Sequence, residues 1–150
     1  MFKSRKDSVH VFYYSKDGAF DQENESFNHR LWLETGDMKH LPTKAGFTPV
    51  RFTFRTLGSA AKAYVMDLIQ RVGSGFGMNM AVALTLNKIE PFMDENGKEI
   101  TVGRVMLNDF VRISDKVMSI IEEVDDGDLM IEMVEFVGRK SFGDPLSKRE

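Results

Sequence analysis

The chain has 150 residues, a formal net charge of −3, 42% hydrophobic and 29% charged residues, and no cysteine. This composition suits one globular domain with a genuine core and excludes global disorder, disulfide frameworks, thiol nucleophiles, thiolate zinc sites and iron–sulfur clusters. The charge is too small to argue for nucleic acid, and no apolar run approaches the ~20 residues that span a bilayer.

The opening MFKSRKDSVH has charges but no apolar stretch behind it, so it does not read as a secretory signal. Lys3, Arg5 and Lys6, with Lys148 and Arg149 at the other end, form basic clusters at the two ends of the chain. Chain ends are solvated by default, which argues against a phosphate site there.

Residues 9–57 are rich in aromatics and short alternating runs, and are expected to be strand-rich. Val9-His10-Val11-Phe12-Tyr13-Tyr14 has strand composition. Phe27, His29, Leu31 and Leu33 alternate with Asn28, Arg30 and Trp32, which predicts a further period-2 segment. The clearest strand places Val50, Phe52 and Phe54 on one face and Arg51, Thr53 and Arg55 on the other. SKDGAFDQENES and ETGDMKHLPTKAG carry the Gly, Asp, Asn and Pro of loops.

From 58 onward the period changes to helical. Ser59 can cap a helix with Ala61, Tyr64, Val65, Leu68, Ile69 and Val72 at helical spacing. GSGFG at 73–77 then reads as a helix end and a flexible hinge, with Phe76 exposed at its tip. Residues 78–89 fit a buried helix or a strand, and their alanines favour the helix. PFMDENGKEITV reads as a small hairpin around a type I′ turn at Asn96-Gly97. One or two helices are expected over 103–124, with Val117, Ile120, Ile121 and Val124 on one face and Glu122 and Glu123 opposing the helix dipole. DDGD at 125–128 is a turn; LMIEMVEFV is a helix or a strand ending at Gly138, and 139–150 reads as an irregular tail.

These elements predict an α+β fold in a single domain. A small antiparallel sheet from the N-terminal third packs against a mainly helical portion over 58–138.

The chemical motifs fail on spacing. A dinucleotide loop needs G-x-G-x-x-G after a strand, but Met78 occupies the third glycine's place and a helix precedes. A Walker loop needs Gly-Lys-Ser/Thr, and the chain offers Gly77-Met78-Asn79. His10, His29 and His40 match no compact ligand pattern. They are expected to be two strand residues and a loop residue, although the fold could still gather His10 or His29 with carboxylates into a catalytic site. An EF-hand counted back from Gly97 puts Phe92 at its first position and Gly103 where glutamate is required. No G-x-S-x-G elbow is present. RFTFR alternates Arg with Phe, but on opposite faces, which disfavours a single-strand nucleic-acid platform. No cofactor or metal is expected.

Met78, Met80, Met106, Met118, Met130 and Met133 lie on or near apolar faces of the helical half. Methionine faces make adaptable partner grooves as well as core filler.

PVRFTFRTLGSAAKAYVMDLI (49–69) and LNKIEPFMDENGKEITVGRVMLNDF (86–110) carry a pattern that resembles bacteriophage tail assembly chaperones and related small assembly proteins. The residues concerned are Pro49, Phe52, Phe54, Arg55 and Leu57, then Asp94, Glu95, Asn96, Gly97, Lys98 and Ile100. The resemblance covers about half of the chain. It implies a non-enzymatic role in tail assembly: binding the tape-measure protein and recruiting tail-tube subunits in the host cytoplasm, as an oligomer or complex. The aromatic segment 9–40 lies outside it and fits a tail, baseplate or connector subunit retained in the virion. A small effector that binds and inhibits a host factor is the other class that uses such surfaces. Contact residues are expected at an edge-strand face, Arg51, Thr53 and Arg55, and at the hinge, Phe76, Met78 and Met80.

Overall fold

Aromatic and β-branched side chains at every second position start the sheet. A computed structural model describes residues 9–143. Strand β1, Val9–Phe12, pairs antiparallel with β2, Arg51–Arg55, so that Phe12 lies opposite Phe52 and His10 opposite Phe54. Between them, helix α1 spans His29–Thr35 and a 3-10 turn spans Met38–His40. The expected strand over 27–33 is therefore a helix. Asn28 Oδ1 accepts the Leu31 N–H at 3.0 Å and Gly36, at φ 72°, closes the other end. Those two caps outweigh the accidental alternation, and Trp32, placed on the polar face by the period-2 reading, is the buried residue.

Helix α2, Ser59–Arg71, buries Val65 and Leu68. Its cap residue is Gly58 rather than Ser59, which already belongs to the first turn, and Val72 at the far end is exposed. Only Val72 and Gly73 separate α2 from helix α3, Ser74–Thr85. GSGFG is thus not a flexible loop: Gly73, at φ 143°, makes the bend, and Ser74 to Gly77 form the first turn of α3. The bend is tight because a Cβ on Gly77 would overlap Ile69 Cγ1 and stand 3.0 Å from the Ile69 backbone nitrogen. Absence of that Cβ lets the two helices touch.

The apolar run 78–89 is both things. Met80 to Ala83 are buried in α3, and the chain then enters strand β3, Leu86–Glu90, without a loop. Strand β3 pairs antiparallel with β2 and completes a sheet of order β1-β2-β3, with a register shift at Thr53/Phe54. Residues 92–100 turn as expected, bridged at Met93 and Glu99. The turn is not type I′, since Gly97 has positive φ and Asn96 does not. Asp94 Oδ1 instead accepts the N–H groups of Asn96 and Lys98, each at 2.9 Å.

The helices expected over 103–124 are half strand. Strands β4, Arg104–Leu107, and β5, Phe110–Ile113, form an antiparallel hairpin turning at Asn108, φ 53°, and Asp109. Val105, Val111 and Ile113 favour the extended chain, and asparagine tolerates the left-handed turn that a helix would forbid. Helix α4, Asp115–Glu123, follows, capped by Ser114. The DDGD turn places Asp125 and Asp126 at φ 48° and 55°. Helix α5 then spans Asp128–Phe142, through Gly138, to a cap at Gly143. The tail expected from 139 therefore begins as helix, and 144–150, like the basic residues at both ends, lie outside the described residues.

The fold is α+β, with the small antiparallel sheet from the N-terminal region set against the helical part. Phe12, Phe52, Phe54 and Phe136 form the joint, with ring centroids 5.1 to 6.2 Å apart. Met133 and Val65, both at 0% exposure, continue the same core into the helices. Burying these side chains supplies roughly 1.5–3 kcal/mol each before entropy is charged.

Candidate functional site

An open apolar groove of about 1040 Å³ runs between α2 and α5, floored by α3. Its origin is local. Gly77 draws α3 onto α2, α5 packs on α3, and the trough lies between α2 and α5 at Met78. On the α2 wall stand Lys62, Ala63, Met66 and Ile69; Glu135, Gly138, Arg139 and Phe142 form the α5 wall. Gly138 keeps that wall thin: a Cβ there would meet Met78 Cε at 3.7 Å, an ordinary contact. Met66 is 43% exposed, an apolar side chain left facing solvent on a helix that buries its other face.

Two cations flank one end of the trough. Lys62 Nζ lies 5.2 Å above the Phe142 ring. Neither Lys62 nor Arg139 makes an ion pair among the described residues. Glu135 supplies the acidic counterpart on the α5 wall. Flexible thioethers flanked by unpaired cations can hold an apolar segment that carries a carboxylate.

The contact residues expected from sequence do not converge. Strand β2 is the centre of its sheet, not an edge, and Thr53 is buried between its register partners Val11 and Lys88. Arg51 and Arg55 remain exposed at the two ends of that strand. Phe76, 51% exposed, and Met80, buried, line a smaller hollow of about 250 Å³ against α4. Met78, two positions from each, faces the groove instead. Helical spacing splits the trio between two faces. Lys62, Met66, Arg139 and Phe142 were missed. The available signal was Met66, an apolar residue outside the expected buried face of α2.

The histidines have structural partners. His29 opens α1 rather than lying in a strand, and its Nε2 donates to the Tyr13 carbonyl at 2.5 Å. Glu132 Oε1 lies 3.8 Å from the same nitrogen but is engaged by Ser15, whose N–H and hydroxyl donate to its two oxygens at 3.0 and 2.5 Å. Ser15 therefore points at the carboxylate, which makes the arrangement a clasp between the end of β1 and α5. His10 Nε2 is hydrogen-bonded to Thr56 Oγ1 at 2.9 Å, and burial, then the nearby Lys140 charge, lower its pKa. His40 closes the 3-10 turn. Among the described residues no three His, Asp or Glu side chains gather closely enough to hold a metal, and no helix is long and apolar enough to cross a membrane.

No family model, curated protein or solved structure matches the chain.

Proposed function

We propose that the chain is a non-enzymatic, phage-type assembly protein that works by protein–protein contact during tail assembly. The observation that carries this reading is the open groove between α2 and α5, lined by Met66 and Met78 and by Lys62 and Arg139, which make no ion pair among the described residues. Apolar surface of this extent, bordered by polar residues, is characteristic of interaction sites. The pattern over 49–69 and 86–110 that resembles tail assembly chaperones points the same way. Within it, Phe52 and Phe54 are core residues, so that part of the resemblance concerns fold rather than contact.

A second reading, a subunit retained in the tail, baseplate or connector, is favoured by the hairpin β4–β5. That hairpin carries Val105, Met106 and Val111 into solvent.

The test is recovery of the tagged chain from its native context. Association with tail or virion proteins encoded by the same genome is expected, with Met66→Asp reducing it. Recovery without any such protein would overturn the reading.

A further inference from the structure

The apolar hairpin and the apolar groove lie on one chain but cannot meet within it. Val105, Met106 and Val111 are 47%, 67% and 51% exposed, and Met106 pairs with Val111 across the ladder, so two of the three share a face. The hairpin is held against α2 by the Phe110 ring, stacked on Tyr64 at 5.5 Å and 25°. At 100° per residue, Tyr64 projects about 155° away from the mean direction of Lys62, Ala63 and Met66 on α2. The protrusion and the trough are therefore on opposite sides of the same helix, each exposing apolar surface that the described residues leave uncovered.

Their charges are complementary. The hairpin turns at Asn108-Asp109, both exposed, and Asp109 makes no ion pair among the described residues. The groove's cations are Lys62 and Arg139, neither in an ion pair among the described residues. The hairpin's own arginines are engaged: Arg104 Nη2 donates to the Asn87 carbonyl, and Arg112 is paired with Asp115 at 2.6 Å. The tip therefore presents a carboxylate flanked by apolar side chains, the chemistry that the groove accepts.

We propose that the groove receives the β4–β5 hairpin of a second copy of this chain. Met106 and Val111 enter beside Met66 and Met78, and Asp109 meets Lys62 and Arg139. The proposal rests on the reading of the chain as a contact protein and names the occupant of its groove. The contact is head-to-tail, because different surfaces of the two copies meet, and it propagates into a ring or a filament.

Sedimentation velocity on the purified chain tests this. Wild type associates with rising concentration. Met106→Asp, which disables the hairpin, and Met66→Asp, which disables the groove, each weaken association about thirtyfold or more. Both positions are exposed, so unchanged circular dichroism and melting are expected for the two variants. An equimolar mixture of the variants forms a 1:1 complex and stops there, since one supplies the only intact groove and the other the only intact hairpin. A wild type that stays monomeric overturns the proposal, as does a mixture that forms no complex. So does association lost in Met106→Asp but kept in Met66→Asp, which marks symmetric pairing of two β4 edges. A chain that is monomeric alone yet recovers tail proteins loses this contact and keeps the assembly reading. A chain that self-associates but recruits no tail protein does the reverse.

Discussion

Tyr14 donates its phenol hydroxyl to Asp125 at 2.6 Å, and Asp125 sits in left-handed backbone at φ 48°. Two consecutive aspartates in that conformation, Asp125 and Asp126, cost energy that the surroundings must offset. The hydroxyl from the end of β1 secures the turn that launches α5. Burial first, then the hydrogen bond and charge of Asp125, raise the Tyr14 pKa well above the ordinary tyrosine range. The folded state therefore holds the phenol proton more tightly than the unfolded chain does. Its contribution is complete below about pH 10 and is lost as pH rises beyond that. Tyr14→Phe should lower stability by about 1 kcal/mol at neutral pH and flatten this alkaline loss. Urea unfolding at neutral and alkaline pH measures both, and an unchanged alkaline slope would contradict the assignment.

The neighbouring clasp predicts a larger effect. Glu132 accepts two hydrogen bonds from Ser15, a residue 117 positions away, and its side chain is only 22% exposed. Glu132→Ala removes both bonds and leaves the Ser15 N–H without this acceptor, for a cost of about 2 kcal/mol. Ser15→Ala keeps the backbone bond and should cost about half as much. Equal losses in the two variants, read from urea midpoints, would show that the backbone N–H contributes nothing.

The pattern of burial along each element explains why parts of the molecule were legible in sequence and others not. Phe52 and Phe54 announce β2 because one face of that strand is core and the neighbouring arginines reach solvent. Val65 and Leu68 announce α2 for the same reason. Segment 27–33 misleads because α1 has only seven residues, too few for a helical period to outweigh chance alternation; Asn28 and Gly36 carried the better signal. The hairpin β4–β5 misleads because Val105, Met106 and Val111 face outward, so no buried face marks its period. The groove was invisible because Met66 and Phe142 belong to helices remote in sequence, and only the packing of α2, α3 and α5 brings them together.

His10 gives the acid side of the stability profile. It lines one hollow with Lys140 of α5 and Arg51 of β2, and burial followed by the Lys140 charge lowers its pKa. The unfolded chain then takes up the proton at higher pH than the folded one. Stability is thus intact above about pH 6.5 and falls as pH drops through the folded-state value. His10→Gln should reduce the fall between about pH 7 and about pH 5, a range above most carboxylate titration. Proton NMR titration of the ring checks the direction independently: a midpoint at or above about 6.5 would remove the basis of the prediction.

The glycines at 73–77 separate into three roles, and substituting alanine for each tests them. Gly75 has no atom within 4 Å of where its Cβ would stand and has no left-handed φ. It lies in the first turn of α3, so Gly75→Ala should stabilise by about 0.5 kcal/mol through the lost freedom of the unfolded chain. At Gly77 the same substitution drives a Cβ into Ile69 and its backbone, forces α3 off α2 and should cost about 1–3 kcal/mol. Gly73 has open space but φ 143°, so alanine there is strained by backbone geometry alone, at a cost of about 1–3 kcal/mol. If 73–77 were a flexible hinge, all three substitutions would have similar small effects on the urea midpoint. The predicted order, Gly75→Ala above wild type and the other two below it, follows only from a single sharp bend at Gly73 with close helix contact at Gly77. Because Gly77 brings together the α2 and α3 surfaces that line the groove, Gly77→Ala should also weaken any association through Met66 and Met78. Gly75→Ala, clear of the groove, should leave it unchanged.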